Sequence, residues 1–179
     1  MKNTQKLAVS GLLTALSTVI VILSNIIPIG MFTFPAVAGI IIYILSIAAG
    51  QKYAWMSFIV TSLISFALCT EKEAAVCFIL FLGFYPMVKE HIEKLRIRVI
   101  AYILKLLLFN ACGVAIYFIL IFVFSVPADT FEFFDINLPA VLLAILNAVF
   151  LIYDYALTVF NRVYRKKIYN FITKLIKKK

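Results

Sequence analysis

Charge is scarce in this chain. Only 14% of its 179 residues are Asp, Glu, Lys or Arg, where a soluble domain carries about 25%. A water-soluble globule of this length needs a larger polar surface, so the composition excludes one. It also excludes a disordered chain. No segment is long and polar enough to form a soluble enzyme domain beside a single anchor. Cysteine and histidine are equally thin. Cys69, Cys77 and Cys112 form no Cys-x-x-Cys pair, and His91 is the only histidine. A secreted disulfide scaffold is excluded, and a zinc centre, which needs about four clustered ligands, has no signal. The three thiols read as small packing groups in apolar helices. A zinc protease would carry His-Glu-x-x-His on one helix, and none occurs. No base lies beside a hydroxyl or thiol at depth in the way nucleophilic catalysis requires, Asp154 aside. The expectation is a protein that is not an enzyme and holds no cofactor or metal.

What is abundant is apolar. Hydrophobic residues make up 65% of the chain, against about 45–50% in soluble domains, and they fall in runs. A spanning helix needs about 20 predominantly apolar residues. The runs predict an all-α, polytopic integral membrane bundle of six transmembrane helices within residues 1–163. The approximate spans are 7–27, 34–49, 53–70, 74–88, 99–124 and 138–160, and a basic amphipathic tail follows over 164–179. Pro28-Ile29-Gly30, Gly50-Gln51-Lys52, Glu71-Lys72-Glu73 and the polar stretch Lys89–Arg98 punctuate the runs. The first run has a basic front end at Lys2 and Lys6. It is too long for a signal h-region and ends without a small-x-small cleavage pattern, so it reads as a span.

Six spans put both ends on one side, and the charges can then be placed. Lys+Arg number 17 against 8 Asp+Glu, a net charge of +9. Fifteen of the 17 basic residues fall on the side of the termini; Lys72 falls opposite and Lys105 inside a helix. The positive-inside rule makes the basic side cytoplasmic. The surplus positive charge thus orients the protein in a cell membrane, and no basic domain remains to bind nucleic acid. In the tail, Ile168, Phe171, Ile172, Leu175 and Ile176 recur at helical spacing between lysines. That pattern suits a helix on an anionic leaflet or a solvated end to the sixth span.

Polar groups at depth are the functional candidates, because an ionisable side chain inside a span is costly. Lys105 lies about 10 Å in from the cytoplasmic end of the fifth span, and Asp154 sits at a comparable depth on the sixth. Helices joined by one loop are usually neighbours, so an intramembrane Lys105–Asp154 ion pair is expected; the alternative is separate snorkelling. Asn110 and Asn147 lie near the midplane of the same two helices. Each amide seeks hydrogen bonds where water is absent, either across the pair as structural glue or on a substrate. On the first helix, Gly11 and Ala15, with Ser10 and Thr14, make small-xxx-small pairs. Ala8 and Ser17 extend a surface that another helix could approach closely. The outer side gathers Asn25, Pro28, Gly30, Phe34, Glu71, Glu73 and the segment Asp129–Asp135 with Phe131, Phe133 and Phe134. Acids and aromatics together could cap a ligand pocket or form an interfacial belt with an acidic rim.

The segment Lys6-Leu7-Ala8-Val9-Ser10-Gly11-Leu12-Leu13-Thr14-Ala15-Leu16 resembles the start of the substrate-binding S components of energy-coupling factor (ECF) transporters. Those proteins open with a basic residue and a small-residue face of the Ala-xxx-Ala type, which Gly11-xxx-Ala15 fits in relaxed form. Pro28-Ile29-Gly30 to Phe34-Pro35-Ala36-Val37-Ala38-Gly39 looks like the family's first outer loop and second helix start. The resemblance implies capture of a micronutrient from outside. It also implies docking through Gly11 and Ala15 onto a transmembrane coupling subunit driven by two ATPases. Asn25, Phe34, Glu71, Glu73, Asn110 and Asn147 are the candidate substrate-binding residues. The competing expectation is a six-helix membrane assembly or regulatory protein with no transported ligand.

Overall fold

A computed structural model describes residues 3–27, 31–70, 72–125 and 139–177, the side chains of 139–143 and 164–177 excepted. Among these residues all regular secondary structure is helical. The elements are α1 (Asn3–Leu23), α2 (Thr33–Ala48), α3 (Gln51–Leu68), α4 (Lys72–Cys77), a π-helical turn (Phe78–Leu82), α5 (Tyr85–Ile92), α6 (Arg98–Phe122) and α7 (Pro139–Lys177). The run Lys72–Ile92 acts as one rod, so the helices form six rods. Among the described residues four stretches are long and apolar enough to cross a membrane: Asn3–Leu23, Lys72–Ile92, Arg98–Phe122 and Ala144–Val163. Thr33–Ala48 is apolar but shorter. α3 is not among the four; it carries Gln51, Lys52, Ser57, Thr61, Ser62 and Ser65 in its 18 residues.

Several boundaries differ from those expected of the apolar runs. The first helix ends at Leu23, not Ile27. Ser24 Oγ donates to the Val21 carbonyl at 2.6 Å, turning the chain ahead of Pro28, whose ring disfavours a helical residue before it. The fourth rod runs on to Ile92, beyond Val88. At the C-terminus, where the tail pattern allowed either a surface helix or an extension of the last span, residues 164–177 continue α7, a helix of 39 residues. Pro139 stands at its first position, where the missing N–H costs nothing, and no Gly or Pro follows to break it.

The chain divides into two compact units, residues 1–90 with 160–179, and residues 91–159. In the first, α1 packs on α2 and α3 around Val21, Ala38, Ile42, Ala54, Cys69, Ala75, Phe78 and Met87. Gly50 makes the tight connection from α2 to α3 with φ +107°, a conformation that side chains oppose. Gly39 meets the π-helical turn. A Cβ there would collide with the Leu82 carbonyl oxygen. That carbonyl is diverted for a readable reason: Pro86, four residues on, has no N–H to offer it. Phe58 closes the same region, its ring 5.8 Å from that of Phe78 and 6.1 Å from that of Phe84. In the second unit α6 lies against the part of α7 up to Val159, and most of the apolar surface of both helices is exposed.

Candidate functional site

Polar chemistry in the second unit is concentrated on Lys105. Its Nζ donates to Asp154 Oδ2 at 3.1 Å and to Glu93 Oε1 at 2.8 Å. Lys105 and Asp154 are each 4% exposed; the Glu93 side chain is about one-third exposed. The ammonium also lies 5.3 Å from the centre of the Tyr102 ring, one turn back on α6, where the ring quadrupole favours a cation. One cation is thus shared by two carboxylates, one on the facing helix and one in the segment leading into α6. An Asp154 carboxylate buried without a counter-charge would cost several kcal/mol, roughly 3–5. The arrangement meets that cost with an ion pair and hydrogen bonds.

Closer to the middle of the helices, Asn110 and Asn147 form a reciprocal amide pair. Each Nδ2 donates to the other's Oδ1 at 3.0 Å, and Asn110 Nδ2 also lies 2.8 Å from the Leu106 carbonyl. The Phe109 and Phe150 rings stack beside them, 4.5 Å apart and 11° from parallel. Residue 105 faces 154, 109 faces 150 and 110 faces 147, the descending register of an antiparallel pair. Of the two roles open to the asparagines, the observed hydrogen bonds are those of helix–helix glue.

The first unit has a different interior, built of hydroxyls. Ser10, Ser17, Thr18 and Ser24 of the α1 segment and Ser57, Thr61, Ser62 and Ser65 of α3 are buried. Thr14 and Ser57 hydrogen-bond through their hydroxyls at 2.7 Å, as Thr18 and Thr61 do at 3.4 Å, and Ser17 Oγ donates to the Ala38 carbonyl at 3.1 Å. Hydroxyls in helices can return their protons to their own backbone, and several do. Ser10 donates to Lys6 O at 2.7 Å and Thr18 to Thr14 O at 2.9 Å. Ser62 Oγ and Ser65 Oγ are buried without a hydrogen-bond partner. Ser65 lies one turn from Cys69, which is also buried. Lys72 closes that end of α3: its Nζ donates to the Cys69 carbonyl at 2.6 Å and to the Phe66 carbonyl at 2.8 Å.

The sequence candidates therefore divide between the units. Asn25, Phe34 and Glu73 are half-buried in the first; Asn110, Asn147, Lys105 and Asp154 belong to the second. Glu71 and the acidic, aromatic segment Asp129–Asp135 lie outside the described residues, as do Pro28 and Gly30. The small-residue surface of α1 splits in two. Ser10, Thr14 and Ser17 are consumed inside the unit, whereas Gly11 and Ala15 face outward, and a Cβ on Gly11 would meet nothing within 4 Å. Sequence reasoning missed Glu93, which sits in the polar stretch taken as a plain connection. It also missed the buried hydroxyls of α3; their spacing at 57, 61 and 65 was a signal that could have found them. Among the described residues no group of three or more His, Cys, Asp or Glu is placed to hold a metal. Comparison with known families, with curated proteins and with solved structures returns no match.

Proposed function

We propose that the chain is a membrane-embedded solute-binding subunit of the ECF S-component type. All six rods would lie in a cell membrane with both termini cytoplasmic, and a small solute would be captured from outside for a coupling subunit and its ATPases. The observation that carries this reading is the hydrogen-bonding capacity left inside the first unit. Ser62 and Ser65 are buried hydroxyls with no partner, and Ser65 lies one turn from the buried Cys69. A buried polar group without a partner costs about 1–3 kcal/mol, and a polar solute bound there would offset it. The outward Gly11–Ala15 face leaves room for a coupling helix to approach. Such a role needs no catalytic group on this chain.

The test is expression in the native host, copurification, and mass spectrometry of released small molecules. The reading expects a coupling subunit, two ATPases and a bound solute, with the solute lost in Ser62→Ala/Ser65→Ala. A second reading, a six-helix assembly or regulatory protein without a ligand, has its own support. The asparagines, for which both a substrate role and a bond across the helix pair were open, hold each other. Purification without either solute or ATPase module would favour it.

A further inference from the structure

The continuity of α7 changes what its basic end can do. The apolar run of this helix closes at Phe160, yet the helix runs on to Lys177. Residues 161–179 carry eight basic side chains and no acidic one. A second copy of the segment would be repelled, so the charge calls for an anionic occupant. Arg162, Arg165 and Lys166 stand at i, i+3 and i+4, on one face of α7. All three fall within about 9 Å, along the axis, of the end of that run, and Arg162 is exposed. In a helix that crosses a bilayer this is the depth of the phosphate layer. Lys174 and Lys177 lie on the same helix about 21 and 26 Å beyond Phe160, farther than the ~8 Å Debye length at physiological salt.

We infer that Arg162, Arg165 and Lys166 form a binding site for the headgroups of anionic phospholipids at the membrane–water boundary. The inference rests on Ala144–Val163 as a membrane span. It differs from a tail lying along the leaflet, in which proximal and distal charges would contribute alike. Each basic residue held at an anionic surface strengthens binding about five-fold. Those near the phosphates should carry that effect and those several turns farther along the helix should not.

The full chain is reconstituted in nanodiscs holding equal phosphatidylcholine and phosphatidylglycerol, and the retained lipids are counted by native mass spectrometry. Phosphatidylglycerol should be retained in preference. Arg165→Gln/Lys166→Gln should weaken the preference on the order of ten-fold or more, while the charge-matched Lys174→Gln/Lys177→Gln should leave it within about two-fold. Equal loss in the two double variants would overturn the localised site in favour of a helix lying on the surface. No preference for the anionic lipid would overturn it in favour of an acidic protein partner, with the membrane reading intact. A chain that washes out of the bilayer at high pH would sink both.

Discussion

At the scale of single residues, Lys105 is the most exacting position. It satisfies two carboxylates, so the three members of the cluster are not equivalent. Lys105→Met leaves Asp154 buried with no cation and should cost roughly 3–5 kcal/mol. Asp154→Asn leaves Lys105 still paired with Glu93 and should cost less, about 1–3 kcal/mol. The double variant should be milder than the two effects added, and strict additivity in detergent unfolding would rule out the pair. Glu93→Gln, at a partly exposed site, should cost about 1 kcal/mol or less. The partnership of Lys105 with Asp154 was legible because two rare charges sat at matching depth on consecutive helices. Glu93 was not, because nothing in a polar connection marks which carboxylate turns back towards α6. The asparagine pair makes a parallel prediction. Asn110→Leu or Asn147→Leu should each cost about 1–2 kcal/mol by orphaning the other amide, and Asn110→Leu/Asn147→Leu should cost less than the sum.

At the scale of elements, two glycines separate tight packing from an open face. Gly39→Ala would drive a methyl group into the Leu82 carbonyl, a backbone atom held in place by the π-helical turn. A loss of at least about 1–3 kcal/mol is expected in thermal unfolding. Gly11→Ala meets open space. It should leave the fold unchanged or raise its stability by up to about 1 kcal/mol, while reducing copurification of a coupling subunit if that face docks. A variant that unfolds would show instead that Gly11 serves the bundle itself. The apolar runs located the helices to within a few residues. They left open whether the basic end forms a surface helix or extends the last span, as α7 does, because hydropathy marks a change of solvent and not a change of backbone.

At the scale of the whole molecule, the distribution of basic residues makes a topological prediction. With six spans, a reporter fused after Lys179 should remain cytoplasmic, and a tag inserted between Asp129 and Asp135 should be labelled from outside by a reagent that cannot cross the membrane. With a cytoplasmic N-terminus, an external C-terminus would require an odd number of spans. That would remove α3 first, since it falls outside both the long and the shorter apolar helices. Its hydroxyls sit on the faces packed within the first unit, where Ser57 and Thr61 bond to α1. Polarity there does not oppose burial in a bundle, because the helix bonds its own backbone and turns its hydroxyls to a neighbour.

The sequence by itself determined a helical chain with apolar stretches of membrane-crossing length, few catalytic groups and a lopsided distribution of basic charge. These depend on composition and on periodicity along the chain, which are local. Only the tertiary structure decided that one ammonium serves two carboxylates and that the asparagines answer each other. It also divided the small face of α1 into an inner, hydrogen-bonded half and an outer, open one, and carried α7 through its basic end unbroken. Contacts such as Lys105 with Asp154 join residues far apart in sequence. Which of several chemically equivalent side chains meets which is settled by the rotation and register of packed helices, and a linear pattern carries neither.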